Sequence, residues 1–194
     1  MTELAHTQGR EADEDRALGF WLYLMSDAIL FALLFATYAV MVGRYAGGPT
    51  GHTLFDISNA LLETLLLLTS TLTFGLASVS ARNGGKGTLI WLGVTFLLGA
   101  GFVFLELREL LGLIEQGAGP DRSGFLSAFF TLVGMHGLHV SIGLVWTVVM
   151  FCQIASQGLT LDVAGRFQRL GLFWHFLDIV WIGIFSVVYL PGAL

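Results

Sequence analysis

The stretch Leu170 to Leu190, LGLFWHFLDIVWIGIFSVVYL, constrains the chain more than any other. It is apolar from end to end except for His175 and Asp178. About 20 apolar residues at roughly 1.5 Å rise cross a hydrocarbon core of about 30 Å, so the stretch reads as a transmembrane helix. His175 and Asp178 stand at i and i+3, on one face and within reach of each other. An ionisable group at the bilayer centre costs about 2.5 to 3.5 kcal/mol by insertion scales. That cost is tolerable only where the face looks at protein. The helix therefore belongs to a packed bundle whose other members answer it with polar groups.

Four further runs supply those members. Helix 1 is expected over Leu18 to Val42 and contains Asp27; helix 2 runs from Ile57 to Ser80 and contains Glu63. Helix 3 runs from Thr88 to Leu113, with Glu106, Arg108 and Glu109 towards its end. Helix 4 runs from Phe125 to Ala155 and holds His136 and His139. The connections are 43–56, with Gly-Gly-Pro punctuation and Asp56 and Ser58 as N-caps, ARNGGKG, EQGAGPDRSG and 156–169. The short ARNGGKG turn makes helices 2 and 3 antiparallel neighbours. Only 12% of the 194 residues are charged, against about 25% in soluble domains. The fold class is all-α: one polytopic domain of five transmembrane helices over 18–194, preceded by an acidic tail, 1–17, that reads as disordered. The net charge of -5 comes largely from that tail and says little about partners. A single cysteine, Cys152, excludes a disulfide framework and a multi-cysteine metal site. No phosphate-cradling loop, nucleophile arrangement or basic nucleic-acid patch is present.

Basic residues orient the helices. Arg10, Arg16, Arg82, Lys86, Arg166 and Arg169 fall on one side, and Arg44, Arg108 and Arg122 on the other. The excess places the N-terminus in the cytoplasm and the C-terminus outside. Asp27, His175 and Asp178 then lie roughly 8 to 14 Å in from the cytoplasmic helix ends. Glu63 and Glu106 form an outer set, and His136 and His139 fall between.

Each polar group has a structural and a chemical reading. His136 and His139 sit three apart among Gly134, Gly137, Ser141 and Gly143. Small residues allow helices to approach closely, and a polar side chain there hydrogen-bonds across the interface. The chemical alternative is an axial haem pair from facing helices, His139 with His175. Asp27, flanked on its face by Tyr23 and Phe31, is either an interhelical hydrogen-bonding group or a proton relay. Without further carboxyls in helix 1, it does not carry protons across alone. Glu109 and Arg108 are expected to reach the interface, whereas Glu106 needs a partner on another helix, and Glu63 matches it in depth. Two carboxyls at one depth imply a proton between them. Trp21, Trp91, Trp174 and Tyr189 lie near expected helix ends, as aromatic belts do. A small transporter with Asp27 in its path is a further reading. All three prolines, Pro49, Pro120 and Pro191, lie in loops or the tail rather than breaking helices, which counts against it.

Three stretches taken together carry a resemblance: GFWLYLMSDAILFALLFATYAV (19–40), GPDRSGFLSAFFTLVGMHGLHVSIGL (119–144) and FWHFLDIVWIGIFSVVYL (173–190). In this order they resemble subunit III of the haem-copper terminal oxidases. The five-helix form, GGPTG in the first loop and GPDRSGFLSAFF are similar to the bacterial cytochrome o type of quinol oxidase. The resemblance implies a non-catalytic subunit with no haem or copper of its own. It implies packing against subunit I, which holds the redox centres and pumps protons, in a complex with subunits II and IV. It further implies bound phospholipid, a place in the bacterial inner membrane, and support of assembly and sustained proton uptake. Asp27 matches a buried carboxylate position that is commonly Glu in the cytochrome c oxidases. On this reading Asp27, Glu63, Glu106, His136, His139, His175 and Asp178 are buried supporting groups rather than catalytic or ligating ones.

Overall fold

A computed structural model describes residues 2–44, 56–84 and 87–193, with side chains from Asp15 to Gly192. The described residues form five long helices: α1 (Thr2–Met41), α2 (Ile57–Arg82), α3 (Thr88–Glu115), α4 (Gly124–Gln157) and α5 (Leu161–Ile184). A π-helical turn, Phe185–Tyr189, and a last turn, Leu190–Ala193, prolong α5. All five helices contain a stretch long and apolar enough to cross a membrane.

Local chemistry starts and stops them where caps are available. The Asp56 carboxylate accepts from Ser58 N–H at 2.9 Å, and the Ser123 hydroxyl accepts from Leu126 N–H at 3.2 Å. Gly158, at φ 70°, closes α4 in a left-handed conformation that costs glycine nothing. Thr160 then caps α5, accepting from Val163 N–H at 3.4 Å. The GGPTG motif (47–51) and Lys86 lie outside the described residues.

Two boundaries differ from the sequence reading. Residues 161–169, read as loop, form the first turns of α5, because Thr160 supplies a cap and Val163, Phe167 and Leu170 at i, i+4 and i+7 give those turns a buried face. The acidic segment read as a disordered tail continues α1 back to Thr2. It holds no proline to stop the helix.

α2, α3, α4 and α5 close a four-helix ring, each packing on the next and α5 returning to α2. α1 lies outside the ring against α4 and α5. It docks through Leu24, Phe31 and Tyr38, a strip repeating every seven residues, while Leu22, Ile29, Leu33 and Val40 remain exposed. The ring interior is aromatic: Phe74, Phe102, Phe129, Phe173, Trp174, Trp181 and Tyr189 are fully buried. Glycines make room for these rings. A Cβ on Gly99 would stand 2.9 Å from Trp174, and one on Gly171 would stand 2.8 Å from Phe74. With lipid outside, apolar burial gives helices little reason to associate, so close packing and interhelical hydrogen bonds hold the ring together.

Candidate functional site

The buried polar groups separate into two clusters, and neither contains the pair that spacing along α5 suggested. Asp178 is buried, but His175 is exposed and lies edge-on to Phe74 of α2, with ring centroids 6.2 Å apart. They form no close ion pair, although His175 still acts electrostatically on Asp178. Sharing a helix face allows contact without compelling it, and here the two side chains take different neighbours.

The first cluster joins α1 to α4. Asp27 Oδ2 stands 3.6 Å from His139 Nε2. The other imidazole nitrogen, Nδ1, lies 2.8 Å from the Met135 carbonyl oxygen. A carbonyl only accepts, so Nδ1 carries a hydrogen and donates it. At 3.6 Å, Nε2 and the Asp27 carboxyl face each other at ion-pair range rather than in a hydrogen bond. Phe31 covers the pair with its ring 5.2 Å from that of His139. His136, one turn away, uses Nε2 at 3.2 Å from the Leu177 carbonyl of α5. The two histidines thus tie α4 to α1 and to α5. His139 faces α1 and His175 faces α2, so they do not address a common space as an axial pair would.

The second cluster extends from the level of Gly137 towards the start of α2 and the end of α3. Glu63 and Glu106 are buried and act electrostatically on one another, as their matched depth implied. Glu106 lies against Gly137 of α4, where any side chain would meet its carboxyl. Glu109, expected at the interface, turns inward instead and accepts from the Tyr189 hydroxyl at 3.3 Å.

Other polar contacts were not singled out from the sequence. Trp174 donates its indole N–H to the Ser70 hydroxyl, and Trp181 to that of Thr64, both at 3.0 Å. Thr73 and Thr95 hydroxyls bridge α2 and α3 at 2.8 Å. Trp174 and Tyr189 are therefore buried hydrogen-bonding ties, not belt residues; Trp21 stays half exposed. The signal was present as hydroxyls on α2 (Thr64, Ser70) and two tryptophans seven apart on α5. Which faces met could not be read from either helix alone.

Such an arrangement fastens helices. Among the described residues, no three of His, Cys, Asp and Glu come together in a metal-holding group. The class defined by the fold and these contacts is a polytopic all-helical membrane protein, held together by interhelical polar ties. More narrowly, the chain belongs to the cytochrome c oxidase subunit III family, whose model matches residues 5–193. It is 56% identical to the cytochrome bo(3) ubiquinol oxidase subunit 3 of Pseudomonas aeruginosa over 190 residues, covering 97% of this chain and 91% of that one. It is 44% identical to the quinol oxidase subunit 3 of Bacillus subtilis over 176 residues, 90% of this chain and 86% of the relative. It is also 44% identical to the cytochrome c oxidase subunit 3 of Bacillus sp. (strain PS3), over 92% of this chain and 87% of that one.

Proposed function

We propose that this chain is the third, non-catalytic subunit of a proton-pumping quinol oxidase in an aerobic respiratory chain. The observation that carries this reading is the 56% identity to a ubiquinol oxidase subunit 3 across 97% of the chain. Its place is the bacterial inner membrane, with the N-terminus in the cytoplasm and the C-terminus outside; the distribution of arginine and lysine supports that orientation. It contacts subunit I directly, within a complex that includes subunits II and IV. Haem and copper belong to subunit I, and this chain binds none. The exposed apolar side of α1 and the outer faces of the ring meet partner helices and phospholipid.

The work of the subunit is mechanical and protective. Asp27–His139 holds α1 on the ring, so the surface offered to subunit I keeps one shape through turnover and sustains proton uptake there. Affinity purification of the tagged chain in mild detergent tests the assignment. Haem-containing oxidase subunits are expected in the same fraction. A chain that purifies alone from aerobically grown membranes overturns it. So does a Soret band in the isolated chain that His139→Ala abolishes.

A further inference from the structure

The carboxyls of Glu63, Glu106 and Glu109 each keep at least one oxygen that the ties holding the bundle do not use. Glu63 is 0% exposed, and neither of its oxygens has a hydrogen-bond partner among the described residues. Glu106 is 2% exposed with Oε1 unpartnered, and Glu109 leaves its own Oε1 unpartnered. Glu63 and Glu109 line a cavity of about 280 Å³, whose walls also include Asp56, Asn59, Arg108 and Gln116. Water occupies about 30 Å³ per molecule in the liquid, so a polar cavity of this size admits several. Asp56 and Arg108 are exposed, Glu109 is partly buried, and Glu63 and Glu106 are sealed. Access to solvent therefore falls stepwise from the helix ends inward.

Three carboxylates ionised together in these surroundings would each lack solvation and would repel one another. The groups that could offset them are few. Among the described residues lining the cavity, α3 contributes one cation, Arg108, while Asp56, the N-cap of α2, adds further negative charge. The π turn contributes the Tyr189 hydroxyl, already given to Glu109. α4 presents Gly137 to Glu106, and the neighbouring His136 is turned to the Leu177 carbonyl. Among the described residues no metal-holding group is formed there.

We propose that Glu63, Glu106 and Glu109 form a proton-binding site that exchanges with water, through this cavity, at the α2 N-terminal end of the bundle. In uptake, a carboxylate oxygen forms an O–H bond with a proton delivered by hydronium in the cavity, leaving water. In release the same bond breaks and water accepts the proton. No electrons move. The site is independent of the assignment to an oxidase, and its inner member, Glu106, lies against Gly137, two residues along α4 from the His139 that faces Asp27.

Infrared spectroscopy of the full chain in detergent, transferred from H2O to D2O, tests it. A carboxylic-acid carbonyl band that shifts on exchange is expected, with a component lost in each of Glu63→Gln and Glu106→Gln. Should either variant fail to fold, Glu109→Gln and Gly112→Leu serve in its place. Gly112 lines the cavity, and a Cβ there meets nothing within 4 Å, so a larger side chain can start there and narrow the route. Exchange is then expected to slow by an order of magnitude. The proposal is overturned if no exchangeable acid band exists near neutral pH, or if the band survives every glutamine variant. Unchanged exchange in Gly112→Leu overturns the route. Loss of the band on adding calcium chloride overturns it in favour of a metal site.

Discussion

α1 and α5 are comparably apolar, and they occupy opposite situations. In the most apolar window of each, 50% of α5 is buried inside the protein but only 11% of α1. Apolarity therefore selects the membrane and says nothing of the place within it, since lipid tails solvate leucine as well as protein does. What separates the two helices is the rest of their sequence. α5 carries Gly171, Trp174, Asp178 and Trp181, residues that either admit a neighbouring ring or need a polar answer. α1 carries one strip, Leu24, Phe31 and Tyr38, and one ionisable anchor in its apolar span, Asp27.

The comparison is broken most directly at Trp181. Its ring packs edge-on against Phe102 at 4.6 Å, and its N–H is given to Thr64. Trp181→Ala is expected to cost about 3 to 5 kcal/mol, read as loss of the monodisperse species on heating in detergent. Gly99→Val comes next, at about 1 to 3 kcal/mol, because the Trp174 ring must give way. Heat stability close to wild type in that variant would show that the α3–α5 contact is loose.

Asp27 sharpens the comparison, since it is the anchor of the peripheral helix. Asp27→Leu is expected to cost about 1 to 3 kcal/mol, because it removes the carboxylate that faces His139 Nε2. Asp27→Asn should be nearly silent. An amide N–H can donate to Nε2 while His139 keeps its own hydrogen on Nδ1, directed at Met135. Initial turnover and inactivation of the assembled oxidase, followed from pH 6 to 9, check both variants. A pH-dependent defect in the Asn form would make Asp27 a proton-handling group instead. The smallest effects belong to the exposed positions. His175→Ala and Ile29→Ala should each change the stability of the isolated chain by less than about 0.5 kcal/mol. If Ile29→Ala also lowers recovery of the complex, that face of α1 touches a partner rather than lipid.

Much of the fold was legible because it rests on local rules. Apolar length marked five spans, and Asp56 was recognisable as a cap. The start of α5 was missed because Thr160 and the Val163–Phe167–Leu170 face lie among glycines and charges that read as loop. Of the site, Glu63 with Glu106 was anticipated from depth alone. The partner of Asp27 was not, because depth orders groups along the bundle axis and leaves rotation about it undetermined. The same blindness placed Trp174 and Tyr189 at the water boundary.

The sequence by itself determined that this chain is a five-helix membrane protein and that its ionisable residues must face protein. Both follow from the high cost of exposing charge to hydrocarbon, which holds for any packing. Only the tertiary structure decided which helices close the ring, that His139 answers Asp27, and that Tyr189 seals a set of carboxyls. Those choices depend on the rotation of each helix about its own axis. Rotation is set by the fit of side chains from different helices, such as Gly99 under Trp174 and Gly137 beside Glu106, and no single helix encodes it.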